Sequence, residues 1–236
     1  MKYFMFKQFN IHHDRCAMKV GTDGVLLGAW ADIKRATQIL DIGCGSGLIT
    51  LMAAQRSKAH VTGLEIDAIA AEQAQENCQA SPFAKRTTII HEDLKTFYPN
   101  KKFDCILSNP PFFAETLLPP DKRRATARHT QELTYSTLIE NARRLMLPNT
   151  MFHVILPYTI LNHFISLCSI NGLSLLRQTN VITSPRKTPK RVLLTFTNNI
   201  SATHPTQDTL LLSDKNGNRS YDYTQLTKDF YLDRNV

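Results

Sequence analysis

"TQILDIGCGSGLITLMAAQRSK", residues 37–58, joins an apolar run to a helix-forming one through a turn that holds three glycines. Ile39, Leu40 and Ile42 read as a buried strand, and Leu48 to Lys58 as a helix. Gly43, Gly45 and Gly47 between them allow a tight turn and let backbone N–H groups approach a ligand closely. A dinucleotide fingerprint of the form G-x-G-x-x-G would need glycine at 48, where the chain has leucine. No Lys-Ser/Thr follows the turn, which excludes a P-loop.

Downstream the same unit recurs. "HVTGLEID" is a strand, with Asp67 capping the helix "AIAAEQAQENCQA"; "RTTIIHED" and "FDCILSNPPF" are a third and fourth strand. After a polar, basic loop (114–132) come the helix "TYSTLIENARRLML", for which Thr137 and Glu140 offer a capping-box start, and the strand "TMFHVILP". The helix "YTILNHFISLCSIN", stopped by Gly172, precedes the strands "LSLLRQTNVI" and "RVLLTFT". Strands alternating with helices predict an α/β fold, a doubly wound, mostly parallel sheet covered on both faces. The last two strands, with no helix between them, are expected as an antiparallel hairpin at one edge.

Upstream, "MKYFMFKQFNIHHDR" alternates apolar and polar residues and lacks a signal h-region, so it reads as two short strands. "TDGVLLGAWADIK" (22–34) reads as a helix that Thr22 or Asp23 can cap. The tail "TLLLSDKNGNRSYDYTQLTKDFYL" reads as a hairpin turning at Asn216-Gly217, then a short helix with Tyr221, Tyr223, Phe230 and Tyr231 as packing residues. One domain of 236 residues is expected: strands and cap helix to 36, catalytic core over 37–198, and the hairpin and helix over 199–236. At 42% hydrophobic and 20% charged the chain can bury a core. No apolar run approaches the ~18 residues that span a bilayer. Five cysteines, none in a C-x-x-C pair, point to reduced thiols in a cytoplasmic protein without a zinc site. "HHD" at 12–14 has metal-like composition, but neighbours on a strand face opposite ways, so no metal is expected.

Each of the first four strands ends in a polar residue: Asp41, Glu65, Asp93 and Asn109. Turns favour Asp and Asn, so one such residue would carry nothing. Four in succession form a row along the carboxyl edge, where open α/β sheets bind ligands. Glu65, about twenty residues beyond the glycine turn, stands where a carboxylate accepts from ribose hydroxyls, and Asp93 where one accepts from an adenine amine. The ligand is then a nucleoside, with a nicotinamide or an adenosyl cofactor both open.

"NPPF", residues 109–112, separates the two. An exocyclic amine is a poor nucleophile because its lone pair is delocalised into the π system. Acceptors aimed at its N–H groups favour the tetrahedral nitrogen that attacks a methyl sulfonium, and they stabilise the charge that develops. The Asn109 side-chain oxygen is one acceptor and the Pro110 carbonyl the other, held by the fixed dihedrals of Pro110 and Pro111. Phe112 offers a flat face for the planar group.

With these motifs in place, "LDIGCGSG", "GLEID", "HEDL" and "SNPPF" resemble, in order and spacing, the class I S-adenosylmethionine-dependent N-methyltransferases. The blocks "FKQFNIHHDRCAMKVGTDGVLLGAW" and "PKRVLLTF" are similar to the bacterial tRNA(Val) adenine-N6 group. The resemblance implies a seven-stranded sheet with the last strand antiparallel. It implies S-adenosylmethionine as cofactor and, as substrate, the adenosine 3′ of the anticodon of a valine tRNA. Asp41, Gly43, Gly45 and Gly47 would lie along the methionine end and ribose, Glu65 on the ribose hydroxyls, and Asp93 and Leu94 on the adenine. Thr22 and Asp23 would pack over the methionine part, and Asn109 to Phe112 would receive the target nitrogen. Many adenine-N6 members have Tyr where this chain has Phe112, and NPPF also occurs among guanine-N2 methyltransferases.

The formal charge of +8 is local: residues 119–200 hold eleven Lys/Arg against three Asp/Glu, and the remainder is neutral. Such a stretch is the footprint of a polyanion partner. Arg123, Arg124 and Arg128 are expected on phosphates beside the target base, and Arg186, Lys187, Lys190 and Arg191 on another part of the RNA. A monomer is expected. The alternatives are a guanine-N2 methyltransferase of ribosomal RNA and a glutamine-amide methyltransferase, which the basic stretch disfavours. A nicotinamide oxidoreductase is opposed by Leu48 and NPPF, and a catalytically dead RNA-binding module by intact Asn109 and Glu65.

Overall fold

A computed structural model describes residues 3–111, 133–199 and 204–232. A small antiparallel hairpin, β1 (Tyr3–Met5) and β2 (Asn10–His12), precedes α1 (Thr22–Trp30). Then follow β3 (Gln38–Ile42), α2 (Leu48–Arg56), β4 (His60–Glu65), α3 (Ala68–Gln79), β5 (Thr87–His91) and β6 (Phe103–Ser108). The remainder is α4 (Tyr135–Leu145), β7 (Met146–Pro157), α5 (Leu161–Ile170), β8 (Ser174–Ile182), β9 (Arg191–Thr197), β10 (Thr206–Leu211) and α6 (Tyr221–Thr227).

The main sheet has the order β10-β8-β9-β7-β6-β3-β4-β5. β3 pairs in parallel with β4 on one side and β6 on the other, so the winding reverses beside β3. Crevices at such reversals, at the carboxyl ends of the strands, are where open sheets hold ligands. Among the described strands of this sheet only β9 runs against the rest, pairing antiparallel with both β7 and β8. The expected doubly wound sheet is present, with eight strands rather than seven. The extra strand is β10, which pairs in parallel with β8 and occupies the edge expected for the β8–β9 hairpin. The tail still turns at Asn216-Gly217, closed by a bridge between Ser213 and Arg219, but the strand before the turn joins the main sheet.

Period-two alternation builds two cores, one on each face. Leu40 and Ile42 of β3 join Ile106, Phe152 and Val154 beneath α4 and α5. Ile39 joins Cys105, Leu107 and Ile155 against α1 and α2. A third cluster seats the N-terminal hairpin, through Phe6, Phe9 and Ile11, on α1, α2 and Phe230.

Local capping explains two helix starts. Asp67 Oδ1 accepts from the Ala70 N–H at 2.8 Å, as expected for α3. α4 is capped by Thr134, whose Oγ1 accepts from the Thr137 N–H at 3.1 Å, so the helix begins a turn earlier than the Thr137–Glu140 box suggested. At α1 the capping position is Gly21, with no side-chain cap, and neither Thr22 nor Asp23 takes that role. Asp23 is occupied elsewhere. Tyr223 and Phe230 pack as expected, whereas Tyr221 is exposed.

Candidate active site

The turn after β3 requires its glycines: Gly43, Gly45 and Gly47 have φ of 71°, 54° and 82°. Among the described residues, nothing occupies the space beside Gly43 and Gly45 where side chains would stand. The turn is held from the adjacent strand, since the Gly43 and Cys44 N–H groups both donate to the Leu64 carbonyl, at 2.8 and 3.1 Å. Glu65 completes the brace: Oε2 accepts from Gly45 N–H at 2.8 Å and Oε1 from Asp67 N–H at 3.0 Å. Each oxygen keeps acceptor capacity for a ligand donor.

Asp41 sits beneath this turn. It is fully buried, its Oδ2 accepts from Thr50 Oγ1 at 2.7 Å, and its Oδ1 has no partner among the described residues. Burial pushes its carboxyl up to about 7, against the Thr50 hydrogen bond and with a smaller upward push from Glu65. Expected along the ligand, Asp41 instead borders neither of the two cavities at this edge.

The first cavity, of about 380 Å³, is bounded by Gly43, Gly45, Glu65, Asp93, Asn109 and Pro111. Residues predicted on three separate strands and the glycine turn thus meet in one space. Asn109 follows the last residue of β6, and its Oδ1 is buried without a hydrogen-bond partner among the described residues. Such an atom forfeits an interaction that a donor entering the cavity would restore. The second cavity, of about 330 Å³, lies along Thr22, Asp23 and the glycine turn and also reaches Asn109. Asp93 is held by Lys95, whose N–H donates to Oδ1 at 2.9 Å and whose Nζ lies 3.2 Å from Oδ2. Leu94 is nearly buried and borders an adjoining 60 Å³ pocket together with Glu65 and Asp93. Gly47, at the helix cap, packs against Ala74 and borders neither main cavity. Pro110 is buried, and Phe112 lies outside the described residues.

Cys16, Ala17 and Met18 also line the 380 Å³ cavity, with Ile66, Lys95 and Leu133. None of these was expected from the sequence. Residues 13–20 have no regular secondary structure, so no hydrophobic period marks them.

The basic residues divide. β8 and β7 are parallel, and Arg191 pairs with Pro157 at the carboxyl end of β7. The β8–β9 connection therefore lies on the same sheet edge as Asn109. Arg186, Lys187 and Lys190 are exposed on it. Arg191 is instead in an ion pair with Asp23, Nε to Oδ2 at 2.8 Å. Arg144 donates to the Leu94 and Phe97 carbonyls, and Arg177 lies over Trp30 and pairs with Asp208. Part of the basic excess is thus structural. Arg123, Arg124 and Arg128 lie outside the described residues.

His13 of "HHD" accepts from the Val20 N–H, and Asp14 accepts from Gln73. Among the described residues no group of His, Cys, Asp or Glu could hold a metal ion, and no helix is long and apolar enough to cross a membrane. All five cysteines are buried free thiols.

Comparison with known proteins adds to this geometry. The family model for the methyltransferase small domain matches residues 19–152. The tRNA1(Val) (adenine(37)-N6)-methyltransferase of Phocaeicola vulgatus is 47% identical over 230 residues, covering 98% of this chain and 97% of that one. Proteins of the same name from Bacteroides fragilis and Yersinia pseudotuberculosis are 45% and 43% identical. They cover 98% and 97% of this chain, and 98% and 92% of their own lengths are matched. Among solved structures, Atu636 of Agrobacterium tumefaciens, titled a predicted O-methyltransferase, has a TM-score of 0.69 at 21% identity. That match covers 91% of this chain and 100% of that one. A methyltransferase from Pyrococcus furiosus has a TM-score of 0.51 at 20% identity, covering 72% of this chain and 78% of its own. The likeness to these two is one of fold.

Proposed function

The chain belongs to the methyltransferase small-domain family, and we propose that it transfers a methyl group from S-adenosylmethionine to the exocyclic N6 of an adenine in tRNA. The relatives' name points to adenine 37 of a valine tRNA as the target. The observation that carries the reading is the buried Asn109 Oδ1, unpartnered among the described residues, in the same cavity as Glu65 and the glycine turn.

The cavity's donor set suits the cofactor. Open space beside Gly43 and Gly45 leaves room for a ligand against the backbone, and Glu65 has acceptor capacity for ribose hydroxyls. Asp93 and Leu94 would take the adenine, and Thr22 and Asp23 would border the methionine end in the second cavity. Asp41 would support the glycine turn from below. When bound, S-adenosylmethionine supplies an electrophilic methyl group.

Asn109 Oδ1 would accept one N–H of the target amine and the Pro110 carbonyl the other, favouring a tetrahedral nitrogen. No strong base is needed beforehand, because the methylated nitrogen is acidic and releases its proton to water. Phe112 would stack on the base. The base must leave its stack, at a cost of a few kcal/mol that is smallest in a single-stranded loop. Arg186, Lys187 and Lys190, with Arg123, Arg124 and Arg128, would hold phosphates. Buried free thiols suit a reducing, cytoplasmic setting.

Nucleoside mass spectrometry of tRNA from cells lacking the protein tests this reading. Loss of N6-methyladenosine, restored by the wild-type gene, is expected. An unchanged N6-methyladenosine profile with loss of N2-methylguanosine would transfer the assignment to guanine.

A further inference from the structure

One face of α3 is polar, yet parts of it are buried. Gln73 is 1% exposed and Asn77 2% exposed, in a helix whose other buried positions are small and mostly apolar. Buried amides are costly unless their donors and acceptors are met. Here one short segment meets nearly all of them. Asn77 Oδ1 accepts from the His12 N–H at 2.9 Å, and its Nδ2 donates to the His12 carbonyl at 2.8 Å. The same Nδ2 donates to the Ser46 carbonyl, within the glycine turn, at 2.9 Å. Gln73 Oε1 accepts from the Arg15 N–H at 3.1 Å and from the Cys16 thiol at 3.2 Å, and its Nε2 donates to Asp14 Oδ1 at 2.7 Å. On the outside of the same face, Glu72 and Glu76 hold the Arg15 guanidinium.

Residues 12–16 have no strand or helix of their own beyond His12. Their conformation is set by these side chains. Cys16 to Met18 line the 380 Å³ cavity together with groups of the sheet edge, and Asp67 and Ala70 at the start of α3 line another part of it. α3 is therefore a rail that carries both a wall of the cavity and the fastening of a second wall.

We propose that Gln73 and Asn77 are positioning residues for the cofactor: they clasp residues 12–16 to α3, so that Cys16–Met18 stands ready as a wall of the cofactor cavity. The proposal rests on the reading of that cavity as the S-adenosylmethionine site. Without the clasp the segment samples other conformations, and the apparent dissociation constant rises by the inverse of the fraction still in place. Chemistry at Asn109, which no clasp bond touches, is unaffected once cofactor is bound.

The test is calorimetric binding of S-adenosylmethionine to the wild type and to Gln73→Ala and Asn77→Ala, with kcat measured at saturating cofactor. A rise of about tenfold in the dissociation constant is expected, with kcat nearly unchanged. The double change Asp14→Asn with Gln73→Glu reverses the polarity of one clasp bond and is expected to recover much of the affinity lost in Gln73→Ala. Should the alanine variants not fold, hydrogen exchange on the wild type decides: the His12 and Arg15 amides are expected to slow on adding cofactor by more than the amides of α5. Wild-type affinity in the folded variants, or no such slowing, overturns the clasp. A wild type that binds no S-adenosylmethionine overturns the cofactor reading itself and the clasp with it.

Discussion

Asp23 and Arg191, 168 residues apart, form an ion pair of 2.8 Å between the first turn of α1 and the first residue of β9. It fastens the wall of the second cavity to the base of the basic β8–β9 connection. Each partner was expected to meet a ligand, one the cofactor and the other RNA. Their mutual attraction accounts for both charges at a position where leaving either unmatched would cost stability.

Both partners are about a quarter to a third exposed, so the pair is worth close to a surface value, about 1 kcal/mol. Arg191→Ala and Asp23→Ala should each lower stability by about that amount, and the double variant by little more than either alone. Urea unfolding of the four proteins measures the coupling; strictly additive losses would show that the pair contributes nothing.

The exposed cations of the same connection should behave differently. Arg186→Ala, Lys187→Ala and Lys190→Ala are expected to leave folding unchanged and to weaken tRNA binding. Each should also reduce the slope of log affinity against log salt by about 1. Filter binding over a salt series checks this, and a slope equal to wild type in all three would remove the connection from the RNA surface.

Asp41 gives the ligand-free protein a pH dependence. Its carboxyl, ordinarily near 3.8, is pushed up to about 7 by burial. Between those values the folded state holds a proton that the unfolded chain has released. Stability therefore falls as pH rises through the window and levels off above it. Relative to Asp41→Asn, the wild type should lose at most about 4 kcal/mol across that range. Denaturant unfolding near both ends measures the difference, and an equal gap at both would contradict the assignment.

Glu65 braces the glycine turn as well as facing the cavity. Glu65→Ala removes the acceptor for the Gly45 and Asp67 N–H groups. Cofactor affinity should fall by about 10- to 100-fold. Glu65→Gln, which keeps one acceptor oxygen, should fall less. Equilibrium binding distinguishes them, and equal affinities for all three proteins would take Glu65 out of the site.

Much of this was legible in the chain. The glycine turn and the polar residues at or beside the ends of β3, β4, β5 and β6 were readable because strand ends and glycine turns are local signals, and parallel neighbours carry those ends to one edge. Three features were not. β10 joins β8 across a separation of about thirty residues, and no local pattern distinguishes that from a hairpin strand. Cys16–Met18 lines the cavity beside a segment that Gln73 and Asn77 hold through tertiary contacts of 57 to 65 residues' separation. Arg144, Arg177 and Arg191 counted as surface charge in composition, yet each is held by carbonyls, an aromatic face or a carboxylate.

On the proposed reading, the Asn109 oxygen acts on the target nitrogen and not on the cofactor. Single-turnover methyl transfer to tRNA by Asn109→Ala, measured beside its S-adenosylmethionine affinity, tests this most directly. A rate lower by about 10²- to 10³-fold is expected, with cofactor binding near wild type. A variant that transfers methyl groups at the wild-type rate, or one that loses cofactor binding in step with activity, would contradict it.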